Sequence, residues 1–159
     1  MVSDFEGFFE LRTPADLLQK LRHDHARIRA DLMDAYAAFD FFVTAEHMLD
    51  WVLPDAADKA NKQRREQKRQ AKAILRVTAH LASGAKHFKA MGPQHKSVDS
   101  ARAHDGAFDS NAFDPAVFDT DRLVVELMGV DASELGGEIS VVDLAQRVLT
   151  YWESELATP

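Results

Sequence analysis

The feature that most constrains this fold is a stretch without Gly or Pro over residues 15–53. From Leu18 onward, mostly apolar side chains recur in it at alternating steps of three and four residues. This is the spacing of a helix that buries one face. Thr13 and Pro14 suit a helix start, and Pro54 ends the segment because it cannot donate the next helical hydrogen bond. The stretch predicts one long helix, or two helices joined by a mild kink.

A second long helix is predicted to begin between Ala56 and Gln63 and to reach about Met91, where Gly92 and Pro93 stop it. Its first half is almost devoid of apolar residues, whereas its second half carries an apolar face and a patch of small residues. A small-residue patch lets another backbone approach closely. The two long helices are therefore expected to form a tight antiparallel pair.

The rest of the chain is less periodic. Residues 92–120 are rich in Asp, Ser, Asn, Gly and Pro, which predicts a long loop. Phe108, Phe113 and Phe118 recur there at a period of five, and we expect them to anchor the loop in grooves of the helical pair; a ligand-binding repeat is the alternative.

The C-terminal part predicts a small β/α appendage over residues 121–159. Residues 122–128 have the composition of a strand, 138–140 form a short return strand, and a helix follows from about Ser140 to Leu156. The predicted fold is mainly α: a single domain over residues 1–159 with a long antiparallel helical pair, a C-terminal helix and a small β-hairpin.

Composition excludes several classes of protein. With 46% hydrophobic and 28% charged residues, the chain is too apolar for wholesale disorder, and it lacks the long uncharged run of a membrane span. Because cysteine is absent, disulfides, thiolate metal sites and Cys nucleophiles are excluded. The acidic N-terminus does not resemble a signal peptide. We expect a cytoplasmic protein with no membrane association and no cofactor.

Charge is divided into three blocks of alternating sign. Residues 1–54 carry a net −5, residues 55–97 a net +8 and residues 98–159 a net −10. The basic middle block either docks on the acidic parts or faces an anionic partner.

A stripe of ionisable residues on the second helix is the strongest chemical signal. Arg76, His80 and His87 follow one another at helical spacing, and the first helix offers an acidic and imidazole group opposite them. That group consists of Asp40, Glu46, His47 and Asp50. We expect Arg76 and His80 to meet His47 and Asp40 or Asp50, and His87 to lie near residues 31–36 or the loop.

Three interpretations of this stripe stay open. It is a structural row of ion pairs and packed imidazoles, or a metal site made of Glu46, Asp50, His80 and His87, or a catalytic group for phosphodiesters. The metal ligand spacing matches no strong motif, so no metal site is predicted. In the catalytic interpretation, His transfers a proton near neutral pH while Arg binds the phosphoryl charge.

Two helical motifs carry a resemblance to known proteins. Residues 41–51, FFVTAEHMLDW, and residues 75–88, LRVTAHLASGAKHF, resemble a group of small uncharacterised bacterial proteins with FFxTAxHxxDW and AxGxKHF helices. That similarity extends over most of the chain. The helical pair alone also resembles, more distantly, the HEPN superfamily of helical bundles.

The HEPN resemblance implies a nucleic-acid-directed protein, and specifically a metal-independent RNase of toxin or defence type that acts at a dimer interface. HEPN nucleases have four to six residues between Arg and His, whereas three residues separate Arg76 from His80 here and ten separate Arg76 from His87. The resemblance assigns catalysis to Arg76, His80 and His87, and phosphate binding to Lys86. A non-catalytic, dimeric interaction module with a structural stripe is the alternative.

A basic run adds candidates for binding. Lys and Arg crowd residues 59–76 without an interleaved aromatic residue, which favours phosphate contact over base stacking. The full set of predicted binding residues is Lys86, His47, Asp50, Arg65, Arg69 and Lys72. We expect a homodimer, RNA contact through this run, and a cognate protein partner as a further option. The basic run also suits the chain's own acidic C-terminal third.

Overall fold

Residues 5–55, 57–105 and 121–157 are described by a computed structural model of the chain. Within these ranges the protein has six helices and three strands. In chain order they are α1 (Pro14–Ala30), α2 (Ala35–Val52), α3 (Lys59–Ala71), α4 (Ala73–His87), β1 (Val98–His104), β2 (Arg122–Leu127), α5 (Gly129–Leu135), β3 (Glu138–Ser140) and α6 (Val141–Ala157). The prediction of a mainly α fold is confirmed, and the predicted small β-hairpin is part of a three-stranded antiparallel sheet.

Residues 15–53 form two helices, α1 and α2, that fold into a hairpin. The predictions of one long helix and of a mild kink are therefore both wrong. Arg27 of α1 bonds to Asp40 of α2 at 2.6 Å, although residues thirteen apart in one helix lie about 20 Å apart. Asp34 restarts the helix, because its carboxylate accepts the Ala37 N–H at 2.8 Å. The Leu32 carbonyl accepts the N–H of Leu123 in β2, which ties the turn to the sheet.

The second predicted helix is also divided. Lys72 has an extended backbone, yet its carbonyl accepts the N–H groups of Leu75 and Arg76, so α4 begins directly after the break. At the other end, Phe88 adopts a left-handed φ of 61°, which stops α4 at His87 instead of near Met91. The specific HEPN-like pair of long helices is not confirmed, although α2 packs against α4.

The three strands form an antiparallel sheet in the order β1-β2-β3. The predicted hairpin of β2 and β3 is confirmed, and α6 follows it as expected. Two corrections concern the loops: residues 92–120 contain β1, and the presumed turn between β2 and β3 contains α5. β1 escaped detection because it is an edge strand whose side chains are mostly exposed, so it lacks apolar alternation. Phe108, Phe113 and Phe118 lie outside the described residues.

The core joins the helices to one face of the sheet. Its fully buried side chains include Phe41, Met48, Leu75, Val125 and Trp152, which come from α2, α4, β2 and α6. In the described part of the chain, no helix has the length and apolar character needed to cross a membrane. Packing of α2 against α4 fixes the relative position of the two helices that carry most of the predicted site residues.

Candidate functional site

A polar cavity of about 890 Å³ is lined by α2, α3, α4 and the segment after α4. We call it the polar cleft. Its walls are Phe39, Val43, Glu46, His47 and Asp50 of α2, Glu66 and Arg69 of α3, Ala79, Ala82, Ser83, Ala85, Lys86 and His87 of α4, and Gln94 and His95 of the segment after α4. Five predicted site residues therefore meet in one place: His47, Asp50, Arg69, Lys86 and His87.

The carboxylates of the polar cleft are already bound by arginines. Arg69 lies between two of them, 2.6 Å from Glu46 and 2.5 Å from Glu66. Burial raises the pKa of Glu46, and the Arg69 charge opposes this effect. Asp50 lies 3.4 Å from Arg65, whose side chain is buried and also donates to the backbone carbonyl of Leu53. The acidic groups are thus engaged with protein cations.

The remaining polar groups of the cleft include several hydrogen-bond donors and imidazoles. Lys86, His47 and His87 are exposed, and Lys86 forms no ion pair with the described residues. His95 is half-buried; burial, followed by the charge of Arg69, lowers its pKa. An ammonium group beside several imidazoles suits an anionic ligand and proton transfer near neutral pH.

His80 is directed away from the polar cleft, toward the start of β1. Its Nδ1 accepts the backbone N–H of Ser97 at 3.3 Å and of Val98 at 3.1 Å. Its ring lies 5.1 Å, centroid to centroid, from the ring of His95. Burial and then the charge of His95 lower the pKa of His80. His80 therefore supports the segment that carries His95.

Sequence reasoning missed His95 as a site residue. It stands alone after Gly92 and Pro93 in an aperiodic segment, and no local pattern relates it to a helix face. Only the return of the chain toward α4 brings it to the polar cleft.

Arg76 is held by α5, so its expected pairing with the acids of α2 is wrong. Its Nη2 lies 2.6 Å from Asp131 and 3.0 Å from Glu134, and its Nη1 donates to the backbone carbonyl of Gln70. The three residues of the stripe are therefore not in one site: Arg76 contacts α5 and His80 contacts the start of β1, whereas His87 lines the polar cleft. The expectation failed because α5 itself was not predicted.

The basic run is divided as well. Arg65, Arg69 and Lys68 turn toward the protein, and Lys68 pairs with Glu155 of α6 at 2.5 Å. This contact confirms that part of the run docks on the acidic C-terminal third. Lys72 is exposed at the break between α3 and α4, and further exposed cations of the run are Lys59, Lys62 and Arg64.

The metal alternative of Glu46, Asp50, His80 and His87 is not assembled, because His80 directs Nδ1 at backbone amides outside the cleft. Over residues 5–55, 57–105 and 121–157, no group of three or more His, Asp or Glu side chains is arranged to hold a metal ion. Comparison with protein-family models, with curated proteins and with solved structures finds no match for this chain. The functional argument therefore rests on the geometry of the polar cleft.

Proposed function

We propose that the polar cleft binds the phosphate backbone of RNA and cleaves it without a metal ion. The observation that carries this proposal is that Lys86 and the imidazoles of His47, His87 and His95 line one cavity. Arg69 pairs with Glu46 and Glu66, and Arg65 pairs with Asp50, so these two arginines offset two of the three carboxylate charges beside that group. An ammonium group and imidazoles can bind phosphate oxygens and transfer protons, so a phosphodiester is the ligand class that we assign to this cavity.

The chemistry needs two proton transfers. One imidazole takes the proton of the ribose 2′-hydroxyl as that oxygen attacks phosphorus. The bond from phosphorus to the 5′-oxygen then breaks, and a protonated imidazole gives its proton to the leaving oxygen. The products are a 2′,3′-cyclic phosphate and a 5′-hydroxyl.

Residues of the cleft can be assigned to these steps. His95 suits the proton acceptor, because burial lowers its pKa and favours the neutral ring. His87 suits the proton donor, and Lys86 stabilises the charge on the phosphoryl oxygens. Arg76 and His80 are positioning residues in this proposal, which departs from the roles that the HEPN resemblance implies.

The test uses end-labelled single-stranded RNA and DNA of the same sequence, incubated with purified protein in a chelator. We expect cleavage of RNA only, since DNA lacks the attacking hydroxyl. The Lys86→Ala/His87→Ala variant should lose cleavage and bind RNA at least tenfold more weakly. The control variant, Lys89→Ala/His23→Ala, makes the same chemical changes at exposed positions outside the polar cleft.

Two outcomes contradict the proposal. Equal weakening by the cleft variant and its control would mean that binding is nonspecific electrostatics. Absence of any RNA binding by the intact protein at low salt would remove the basis of the function.

A second candidate function, a dimeric protein-interaction module, is favoured by exposed apolar side chains. Tyr36, Phe88 and Met91 are largely exposed near the start of α2 and beyond the end of α4. Exposed apolar groups of this size are typical of surfaces that bind another protein. In this candidate the protein forms a homodimer and leaves RNA intact, so sedimentation and the cleavage assay separate the two functions.

A further inference from the structure

Phe39 separates two cavities of different character. One is the polar cleft, and the other is an apolar groove of about 410 Å³ on the neighbouring surface. We define this apolar groove by Ala38, Phe42, Leu81, Ala85, Leu123 and Val125. Phe39 and Ala85 line both cavities, so they form the wall that the cavities share.

The ring of Phe39 is unusually exposed for its place in the helix. Phe41 and Phe42 of the same helix are buried, whereas 52% of Phe39 is accessible to solvent. Tyr36 lies one helical turn earlier and is 84% exposed. Of these two exposed aromatic side chains, Phe39 lies on the wall of the polar cleft.

The ammonium and imidazole groups of the neighbouring cleft point to the occupant. Lys86 directly follows Ala85, so the phosphate-binding group and the shared wall are adjacent along α4. A ligand that spans the wall needs an anionic group on one side and a flat apolar group on the other. A nucleotide of single-stranded RNA has both, because its base stacks on aromatic rings while its phosphate stays charged.

We propose that Phe39 is the stacking platform for a nucleobase of single-stranded RNA, with that base at the mouth of the apolar groove and its phosphate in the polar cleft. This inference rests on the proposed function and adds its substrate class. With this platform the protein binds unpaired RNA, since a base held in a duplex does not reach the ring of Phe39. It assigns no sequence preference, because every base has a stacking face.

The experiment compares two single-stranded ligands of equal length and charge, both 2′-O-methylated so that neither can be cleaved: oligouridylate and a chain of abasic ribose phosphates. We expect the intact protein to bind oligouridylate about tenfold more tightly, in keeping with one stacked base. Phe39→Ala should lower the affinity for oligouridylate to that for the abasic chain and leave the abasic affinity unchanged. Phe39→Tyr should retain the difference, since a flat ring remains.

Two further variants serve as controls. Phe88→Ala removes an equally large ring that is 93% exposed and lines neither cavity, so both affinities should be unchanged. Lys86→Ala should lower the affinity for the two ligands by the same factor, because both carry the phosphates.

The results distinguish this inference from the proposed function. Equal affinity of the intact protein for both ligands overturns the platform and leaves phosphate binding intact. Failure to bind either ligand overturns both. A concentration-dependent dimer that Phe39→Ala abolishes would show that a second copy of the chain covers the ring, and would overturn the platform as well.

Discussion

Nη2 of Arg76 lies 2.6 Å from Oδ1 of Asp131, a carboxylate that is only 3% exposed. The two residues join α4 to α5, a helix of seven residues. A helix of this length is unstable in isolation and depends on tertiary contacts. The ion pair is therefore a main attachment of α5, and it removes Arg76 from the polar cleft.

Replacement of Arg76 by Ala is expected to lower the free energy of unfolding without weakening RNA binding. The variant leaves Asp131 buried without its cation, which costs about 3 kcal/mol of unfolding free energy. Urea unfolding measures this loss, and Arg147→Ala, an exposed change on α6, provides the control. Adding Asp131→Ala should recover part of the stability. Weaker RNA binding by folded Arg76→Ala would contradict the positioning role.

His80 is expected to make the segment after α4 sensitive to pH. Its Nδ1 accepts the N–H groups of Ser97 and Val98 only while that nitrogen carries no proton. Because its pKa in the folded protein is lowered, these bonds should be complete above about pH 6.5, the ordinary His value, and should be lost as the pH falls through the folded pKa. His95 faces the same ring, and the charges of Arg69, Glu66 and His87 act on His95.

Amide hydrogen exchange at Ser97 and Val98 measures this effect locally. Protection factors, corrected for the intrinsic pH dependence of exchange, should fall on acidification in the intact protein. His80→Asn keeps an acceptor at the Nδ1 position and cannot titrate, so its protection should be independent of pH. His80→Ala should lack protection throughout. The same acid response in His80→Asn would assign the pH effect to another group, such as His95.

The fold could be predicted wherever apolar periodicity and helix caps agree. α6 and the β2–β3 hairpin follow from local patterns, as does the helical character of residues 15–53. The hairpin of α1 and α2 does not, because Leu32 and Ala35 continue the apolar stripe through the turn. The turn is stabilised by contacts distant in sequence, such as the bond from Leu123 to Leu32.

The sequence predicts which residues line the candidate site better than it predicts the contacts that these residues make. His47, Lys86 and His87 were identified from the two helical motifs, and all three line the polar cleft. Partners across the fold depend on helix directions and on elements that local patterns do not reveal. For this reason Arg76 was assigned to α2 when its partner belongs to α5, and His95 was missed.

Arg69 is expected to act as the neutralising group of the polar cleft. Arg69→Ala would remove the cation that pairs with Glu46 and Glu66, and their negative charges would then repel phosphate. In the proposal, Arg69 itself does not contact RNA. Fluorescence anisotropy with labelled RNA at low salt should show a loss of affinity about tenfold larger than that caused by Lys62→Ala, an exposed change on the same helix. The triple variant Arg69→Ala/Glu46→Ala/Glu66→Ala should regain most of the lost affinity. A triple variant as weak as Arg69→Ala would mean that Arg69 contacts RNA directly.

Replacing different basic residues of α3 is expected to have different effects on the salt dependence of RNA binding. Lys62 is exposed, whereas Lys68 pairs with Glu155 and Arg65 is only 7% exposed against Asp50 and the Leu53 carbonyl. Each phosphate contact to a single strand contributes about 0.7 to the slope of log affinity against log salt.

Lys62→Ala should therefore lower that slope by about 0.7 with little change in stability, while Lys68→Ala should leave the slope unchanged. Arg65→Ala should lower the unfolding free energy by about 2 kcal/mol, because the part-buried Leu53 carbonyl loses a charged donor. Titrations at several salt concentrations and urea unfolding of the same preparations give both quantities. Equal slope changes for Lys62→Ala and Lys68→Ala would mean that the ion pair with Glu155 opens when RNA binds, and that the two faces of α3 are not distinct.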